Sequence, residues 1–320
     1  MRLQKSKIRG FVIQYALYIL ILLLWLFYGL QSEHFFTIRN VRTLLTNAAP
    51  MLVYACGMTY ILILGEIDLS IGSVGAVAAA CWMLSMEYLN MPLSVAFLIA
   101  MAVGAVCGLI TATLVVRLRI NAFMASLGMQ FALRGVCYLV TGGEQFMTPS
   151  VVHDFAKVRL LTLSPLIYIS LVIAIAMTLL YKYSSYGRHV QACGCNRSVA
   201  KTLGINVDRT KFVAFVISGV LAGLAGAMQC INVGILLPGS IGEGGEFLAI
   251  TACVLGGTSL AGGVGSVLPG ALVGVIFYYS IENGLGLLGA NVYLYPVVRG
   301  IVIYLAMVTD SLKRSIGGKA

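Results

Sequence analysis

Charge along this chain is confined to a few short stretches that separate long apolar runs. Met1 to Gly10 carries Arg2, Lys5, Lys7 and Arg9, and Arg117 stands close to Arg119. Lys182 to Lys211 holds six Lys or Arg, and Lys313, Arg314 and Lys319 close the sequence. An apolar run of about 20 residues is the length that crosses a bilayer as a helix. Lys and Arg gather in the loops on the cytoplasmic side. The pattern therefore predicts an all-α, polytopic integral membrane protein whose orientation can be read from charge.

Composition excludes the other broad classes. Of the 320 residues 60% are hydrophobic and 10% charged, and mean hydropathy is +0.97. Ordinary soluble domains are roughly 45–50% apolar. The net charge of +10 is divided among separate loops, with no basic helix face or aromatic-interleaved patch, so nucleic acid is not an expected partner. Of the eight cysteines, six lie within apolar runs, where a free Cys behaves as a small hydrophobe. Cys193 and Cys195 form a C-x-C in a loop, but only His189 is near, short of a metal-ligand set. Ordinary reduced thiols are expected. His34, His153 and His189 are scattered without ligand or triad spacing, so neither a metal centre nor a catalytic residue is expected.

Ten spans are predicted: 11–30, 45–64, 72–89, 93–116, 121–140, 163–182, 212–232, 246–260, 266–285 and 293–309. With both termini cytoplasmic, 15 of the 21 Lys/Arg face the cytoplasm and four (Arg39, Arg42, Lys157, Arg159) face outward, while Arg134 and Arg299 lie in spans. The opposite orientation inverts that ratio. Phe11 to Leu30 is longer than the roughly 7–15-residue core of a signal peptide and lacks a small-x-small cleavage site, so it reads as a retained first span. Arg39 and Arg42 share a face, consistent with an interfacial helix over 36–46. No loop is large enough to fold alone, so residues 1–320 form one membrane domain with a cytoplasmic loop at 183–211.

Several polar constellations stand out. Gly65-Glu-Ile-Asp-Leu-Ser-Ile-Gly-Ser73 places Glu66 and Asp68 between two apolar runs, with Ser70 and Ser73 able to cap the next helix. It is either a broken helix carrying polar groups into a pathway or a solvated cytoplasmic turn. Gly256 to Gly265 has five glycines in ten residues, suited to close helix packing or to an unwound stretch lining a cavity. It faintly echoes the 65–72 segment. Glu246 begins a span, where capping the helix dipole competes with a gating role. Arg134, Glu282 and Arg299 are costly in lipid and should pair, contact solute or reach an interface. In the 183–211 loop, Asn196 is a good N-cap, Arg197 to Leu203 can form two turns, and Gly204 suits the position after the last turn. That short helix either docks a partner or merely connects two spans.

Four stretches together resemble the permease subunits of ABC sugar importers, the group for ribose, xylose, arabinose, galactosides and autoinducers. They are 65–73, the 187–207 loop, Ser218 to Ala227, and Glu246 through Gly257–Gly263 to Asn283-Gly-Leu285. Their order and spacing follow the family over roughly residues 35–310. Glu66 departs from it, since the family more often has Gly or another small residue there.

The resemblance implies about ten helices per subunit in a bacterial cytoplasmic (inner) membrane and a second permease subunit, identical or different. It also implies an extracytoplasmic sugar-binding protein and a cytoplasmic ABC ATPase that holds the ATP and Mg. This chain has no Walker A sequence and is expected to bind no cofactor itself. By analogy, the 188–204 element with Arg188, Asn196, Ala200 and Gly204 is the coupling helix. Asn47, Glu66, Asp68, Ser70, Gln130 and Thr251 are candidate pathway residues for a small sugar, and Glu246, Gly257 and Asn283 candidate gating or structural positions. Two alternatives stay open: a permease for nucleosides or branched-chain amino acids, and an ion-coupled secondary transporter using Glu66, Asp68 or Glu282.

Overall fold

The computed structural model describes the backbone of residues 2–291 and 293–317, and the side chains of 17–291 and 293–308. Thirteen α-helices occur among the described residues. They are α1 (Arg2–Gln31), α2 (Ile38–Ile63), α3 (Ile71–Glu87), α4 (Leu93–Val116), α5 (Ala122–Thr141), α6 (Ser150–Lys157) and α7 (Pro165–Tyr183). After these come α8 (Ser185–Cys195), α9 (Arg197–Thr202), α10 (Val207–Val233), α11 (Gly245–Leu255), α12 (Leu272–Leu287) and α13 (Leu294–Gly317). Two short strands, β1 (Phe146–Met147) and β2 (Ile235–Leu236), pair antiparallel with Phe146 opposite Leu236. Among the described residues five helices, α2, α4, α5, α7 and α10, are long and apolar enough to cross a membrane.

The core is built on α2 and α10, and small residues explain why. Residues 48–63 of α2 are all buried. Where α10 crosses α4, Gly219 and Gly223 face Gly104 and Gly108 so closely that an added Cβ would overlap backbone of the facing helix. Gly226 meets Gly75 of α3 in the same way, and Gly57 of α2 lies against Ser218. In lipid, helices gain nothing by hiding apolar surface from one another; close backbone approach supplies the attraction instead. The glycine spacing of four on both α4 and α10 is what allows that approach.

Elsewhere hydrogen bonds fix the arrangement. Trp25 Nε1 of α1 donates to Ser280 Oγ of α12 at 2.8 Å. Asn40 of α2 and Asn283 of α12 exchange reciprocal amide bonds of 2.8 and 2.9 Å.

Three local expectations change. The 36–46 stretch is not a separate interfacial helix: Thr37 caps a continuous α2 at its start, accepting from Asn40 N. The span expected over 246–260 ends at Leu255, because Gly257, Gly262 and Gly263 adopt positive φ and turn the chain out of the helix. Its 11 residues cover about 16 Å at 1.5 Å per residue, roughly half a bilayer core. The span expected over 266–285 becomes regular only from Leu272, after a single wide turn at Val267–Ala271 in which Leu268 is extended.

Candidate coupling element and polar clusters of the membrane body

Three capping side chains shape the segment between α7 and α10. Ser184 Oγ accepts from Gly187 N at 3.0 Å and starts α8. Asn196, extended at φ −160, accepts from Ser198 N and Val199 N and starts α9. Asn206 Oδ1 accepts from Arg209 N at 2.8 Å and starts α10. Gly204 at φ +77 closes α9, as expected of a residue free to go left-handed. Cys193 and Cys195 therefore lie in a helix, correcting the loop expected there. Burial also pushes the Cys193 thiol above its usual range, which suits an unreactive packing residue.

This element is seated on two glycine-rich turns of the body. Gly194 packs on the carbonyl of Ile63 with no room for a Cβ. Gly263 N donates to Ile63 O at 2.8 Å, and Gly65 lies against the backbone of Ala261. The two segments that echo each other in sequence thus meet beneath α8.

Charge then ties the seat together. Arg197 Nη2 reaches Leu64 O at 3.2 Å and Glu66 Oε1 at 2.7 Å, and Lys211 Nζ donates to the same carboxylate oxygen. The Glu66 side chain is 13% exposed and that of Lys211 14%, so the pair is shielded more than a surface bridge. A cavity of about 420 Å³ beside it is lined by Arg119, Lys201 and Asp208 among others.

Asp68, two residues on from Glu66, is buried. Its Oδ1 accepts from Ser70 N at 2.9 Å and Ser70 Oγ at 2.6 Å. Burial pushes its carboxyl above the usual carboxylate range, and the two Ser70 bonds pull the other way. The helix-capping role expected of Ser70 and Ser73 is corrected. Ser70 is already helical at φ −77, ψ −17 and makes no side-chain cap bond, whereas a capping side chain needs the extended conformation.

The remaining candidates fall in separate places. Gln130 Nε2 of α5 donates to Glu246 Oε1 in the first turn of α11 at 2.8 Å. Arg134, one turn along α5, points Nη1 at Pro238 O and Ile241 O. Thr251 is buried, with Oγ1 bonded back to Phe247 O. Asn47 is exposed, and its amide oxygen accepts from Asn232 at 2.9 Å. It borders a cavity of about 280 Å³ with Arg39, Arg42 and Arg159. Among the described residues the Arg188 side chain bonds locally, to Tyr183 O and Ser185 Oγ. Ala200 is buried against the body, while Val199 and Leu203 are 53% and 71% exposed. Gly257 is exposed at φ +93.

A small-residue seam inside long apolar helices, with a capped and charge-latched helix pair at one end, defines a polytopic membrane protein of the permease class. The family described as branched-chain amino acid transport system / permease component matches residues 40–307, and the chain belongs to that family. It is 35% identical over 292 residues to the ribose import permease protein RbsC of Escherichia coli (strain K12), covering 88% of this chain and 89% of the relative. It is 31% identical over 300 residues to the autoinducer 2 import system permease protein LsrC of Photorhabdus luminescens, covering 92% and 89% respectively. No solved structure matches the chain. The chain is a transport permease subunit rather than an enzyme.

Proposed function

We propose that this chain is the membrane-spanning permease of an ATP-driven importer for a monosaccharide or related small sugar. The substrate class rests on the relatives, a ribose permease and an autoinducer 2 permease. The observation that carries the coupling mechanism is the α8–α9 element. Its inner side is fixed by Gly194, Arg197 and buried Ala200, and its outer side offers Val199 and Leu203 one helical turn apart. An exposed apolar pair on a rigid two-turn helix is a surface for a groove in another protein. The partner is a cytoplasmic ABC ATPase, which binds and hydrolyses the ATP with Mg.

The rest of the assembly follows from this. The charge distribution supports ten membrane-crossing segments with both termini and the α8–α9 element on the cytoplasmic side of the bacterial inner membrane. The half-length α11 makes one of those segments together with the glycine-rich stretch that follows it as far as Gly263, which bonds Ile63 beneath α8. A second permease subunit, identical or different, completes the conduit, as the resemblance to importer permeases implies. Arg39, Arg42 and Arg159 lie at the opposite end from α9 and suit acidic groups of an extracytoplasmic sugar-binding protein. Glu66 acts in this scheme as the latch between α9, α10 and the turn before α3, rather than as a pathway group.

Reconstitution tests the reading. With the ATPase and loaded binding protein present, vesicles should accumulate sugar on ATP addition, and a proton-gradient uncoupler should leave the rate unchanged. Uptake by the chain alone, driven by a proton gradient, would favour the ion-coupled alternative.

A further inference from the structure

A cavity of about 380 Å³ opens between α5 and α11 under the turn at 238–244. That volume lies within the range of small-molecule sites, about 300–1,000 Å³. Its lining brings together hydrogen-bonding side chains from three helices, among them Ser73 of α3, Gln130 and Arg134 of α5 and Glu246 of α11, with Glu243 from the turn. Ser73 is 1% exposed, and its Oγ has no partner among the described residues. A buried hydroxyl left without a partner keeps its desolvation cost, so a bound molecule that supplies one is favoured there. Gln130 gives its N–H to Glu246 Oε1, while its amide oxygen has no partner among the described residues. Two rings, Tyr138 and Phe247, stand at the rim, 46% and 44% exposed.

The placement of these groups adds to their chemistry. Gln130 lies about 13 Å along α5 from the end beside α9, at 1.5 Å per residue, and so at bilayer depth. Glu246 is in the first turn of a helix that covers only half the bilayer. Interrupted helices of this kind line solute sites in transporters, where polar side chains meet a cavity instead of lipid.

We infer that this cavity is a transient binding station for a neutral polyol, with Glu246, Gln130 and Ser73 as hydrogen-bonding groups and Tyr138 and Phe247 as stacking rings. The inference rests on the sugar-permease reading and adds where on the chain the sugar pauses. Solute hydroxyls donate to the Glu246 carboxylate and the Gln130 oxygen and accept from Ser73. The apolar C–H face of the sugar ring lies on the rims of Tyr138 and Phe247. A zwitterionic amino acid fits less well. It needs a cation for its carboxylate, and Arg134, the one cation of the lining, shares it with two carboxylates, Glu243 and Glu246, and directs Nη1 at the carbonyls of Pro238 and Ile241. That bond instead fixes the turn that roofs the cavity.

The test uses the complete importer in vesicles, with D-ribose as the probe, together with saturation-transfer NMR on the purified permease using D-ribose and L-leucine. Gln130→Ala and Glu246→Gln should each lower ribose uptake about tenfold, the scale of one hydrogen bond at the upper end of its net range. Stimulation of the ATPase by loaded binding protein should stay within about twofold, because that step does not involve the cavity. Tyr138→Ala removes a half-exposed ring without disturbing the core and should weaken the ribose NMR signal. Unchanged uptake and an unchanged ribose signal in all three variants overturn the station, as does a signal from leucine in place of ribose. If the wild-type importer moves no sugar, the sugar reading fails separately. The NMR experiment then still decides: contact with ribose lost in Gln130→Ala upholds the polyol station, and no contact refutes it.

Discussion

Glu66 and Glu246 are both carboxylates drawn into this apolar body, and their surroundings differ sharply. Glu66 is held by two cations from two helices, Arg197 and Lys211, and Arg197 is fixed in turn to the carbonyl of Leu64. Glu246 is bonded to the neutral amide of Gln130, with the Arg134 guanidinium in the same cavity lining and the unpartnered Ser73 hydroxyl across it. Where charges close on one another, the elements that carry them move as one piece. Where hydrogen-bonding capacity is left open, solute and water can exchange. The first arrangement suits passing a push from a motor into the helices, and the second suits passing a solute between them.

The most disruptive way to break this contrast is to reverse the latch. Glu66→Lys places three cations together in a shielded site. The expected loss is about 1–3 kcal/mol of stability, between the values for surface and buried pairs, with ATP-driven uptake falling at least about tenfold. Adding Arg197→Glu should restore part of both, read as a thermal-unfolding midpoint in detergent and an uptake rate. A wild-type midpoint for Glu66→Lys alone would remove the latch from the account.

Gly194→Val comes next. Its side chain would overlap the Ile63 carbonyl, and overpacking of this sort costs about 1–3 kcal/mol. The expected result is a loosened α8, visible as faster backbone hydrogen exchange over residues 185–204.

Asp68 gives a smaller and pH-dependent effect. Asp68→Ala removes the acceptor for both Ser70 bonds and should cost about 1 kcal/mol, whereas Asp68→Asn keeps an acceptor and should cost less. Because burial raises the Asp68 pKa in the folded chain, the folded state holds this proton more tightly than the unfolded state. The stability from this group is therefore full below the ordinary carboxylate range and falls as pH rises through the raised value. Asp68→Asn should flatten that slope in unfolding measured across acid to neutral pH.

These examples also show what the sequence could and could not reveal. Each of the ten apolar segments overlaps a helix, α1 to α5, α7 and α10 to α13, because run length and hydropathy decide such elements directly. Helices α6 and α8 are short, and α8 is started by a local cap, Ser184, a signal that a hydropathy pattern does not carry. The early end of α11 depends on glycines at positive φ, and glycine in sequence does not say which φ it will take. The ion pair of Glu66 with Arg197 spans 131 positions and cannot be read from either end alone. Arg197 was accordingly absent from the expected coupling residues. By contrast, Gln130, Arg134 and Tyr138 recur every fourth residue along the mostly apolar α5. That polar stripe was available as a signal for the cavity.

The smallest effect on stability is expected at Leu203. Leu203→Asp changes an exposed side chain, so the unfolding midpoint should shift by no more than about 0.5 kcal/mol equivalent, yet co-purification of the ATPase should be lost. The same position offers the most direct measurement of the coupling claim: a benzophenone amino acid placed at Leu203 in the co-expressed importer, irradiated in native membranes. The account predicts a cross-link to the cytoplasmic ATPase, whose yield changes when ATP is added. A cross-link to the extracytoplasmic binding protein, or none at all while the importer transports normally, would contradict it.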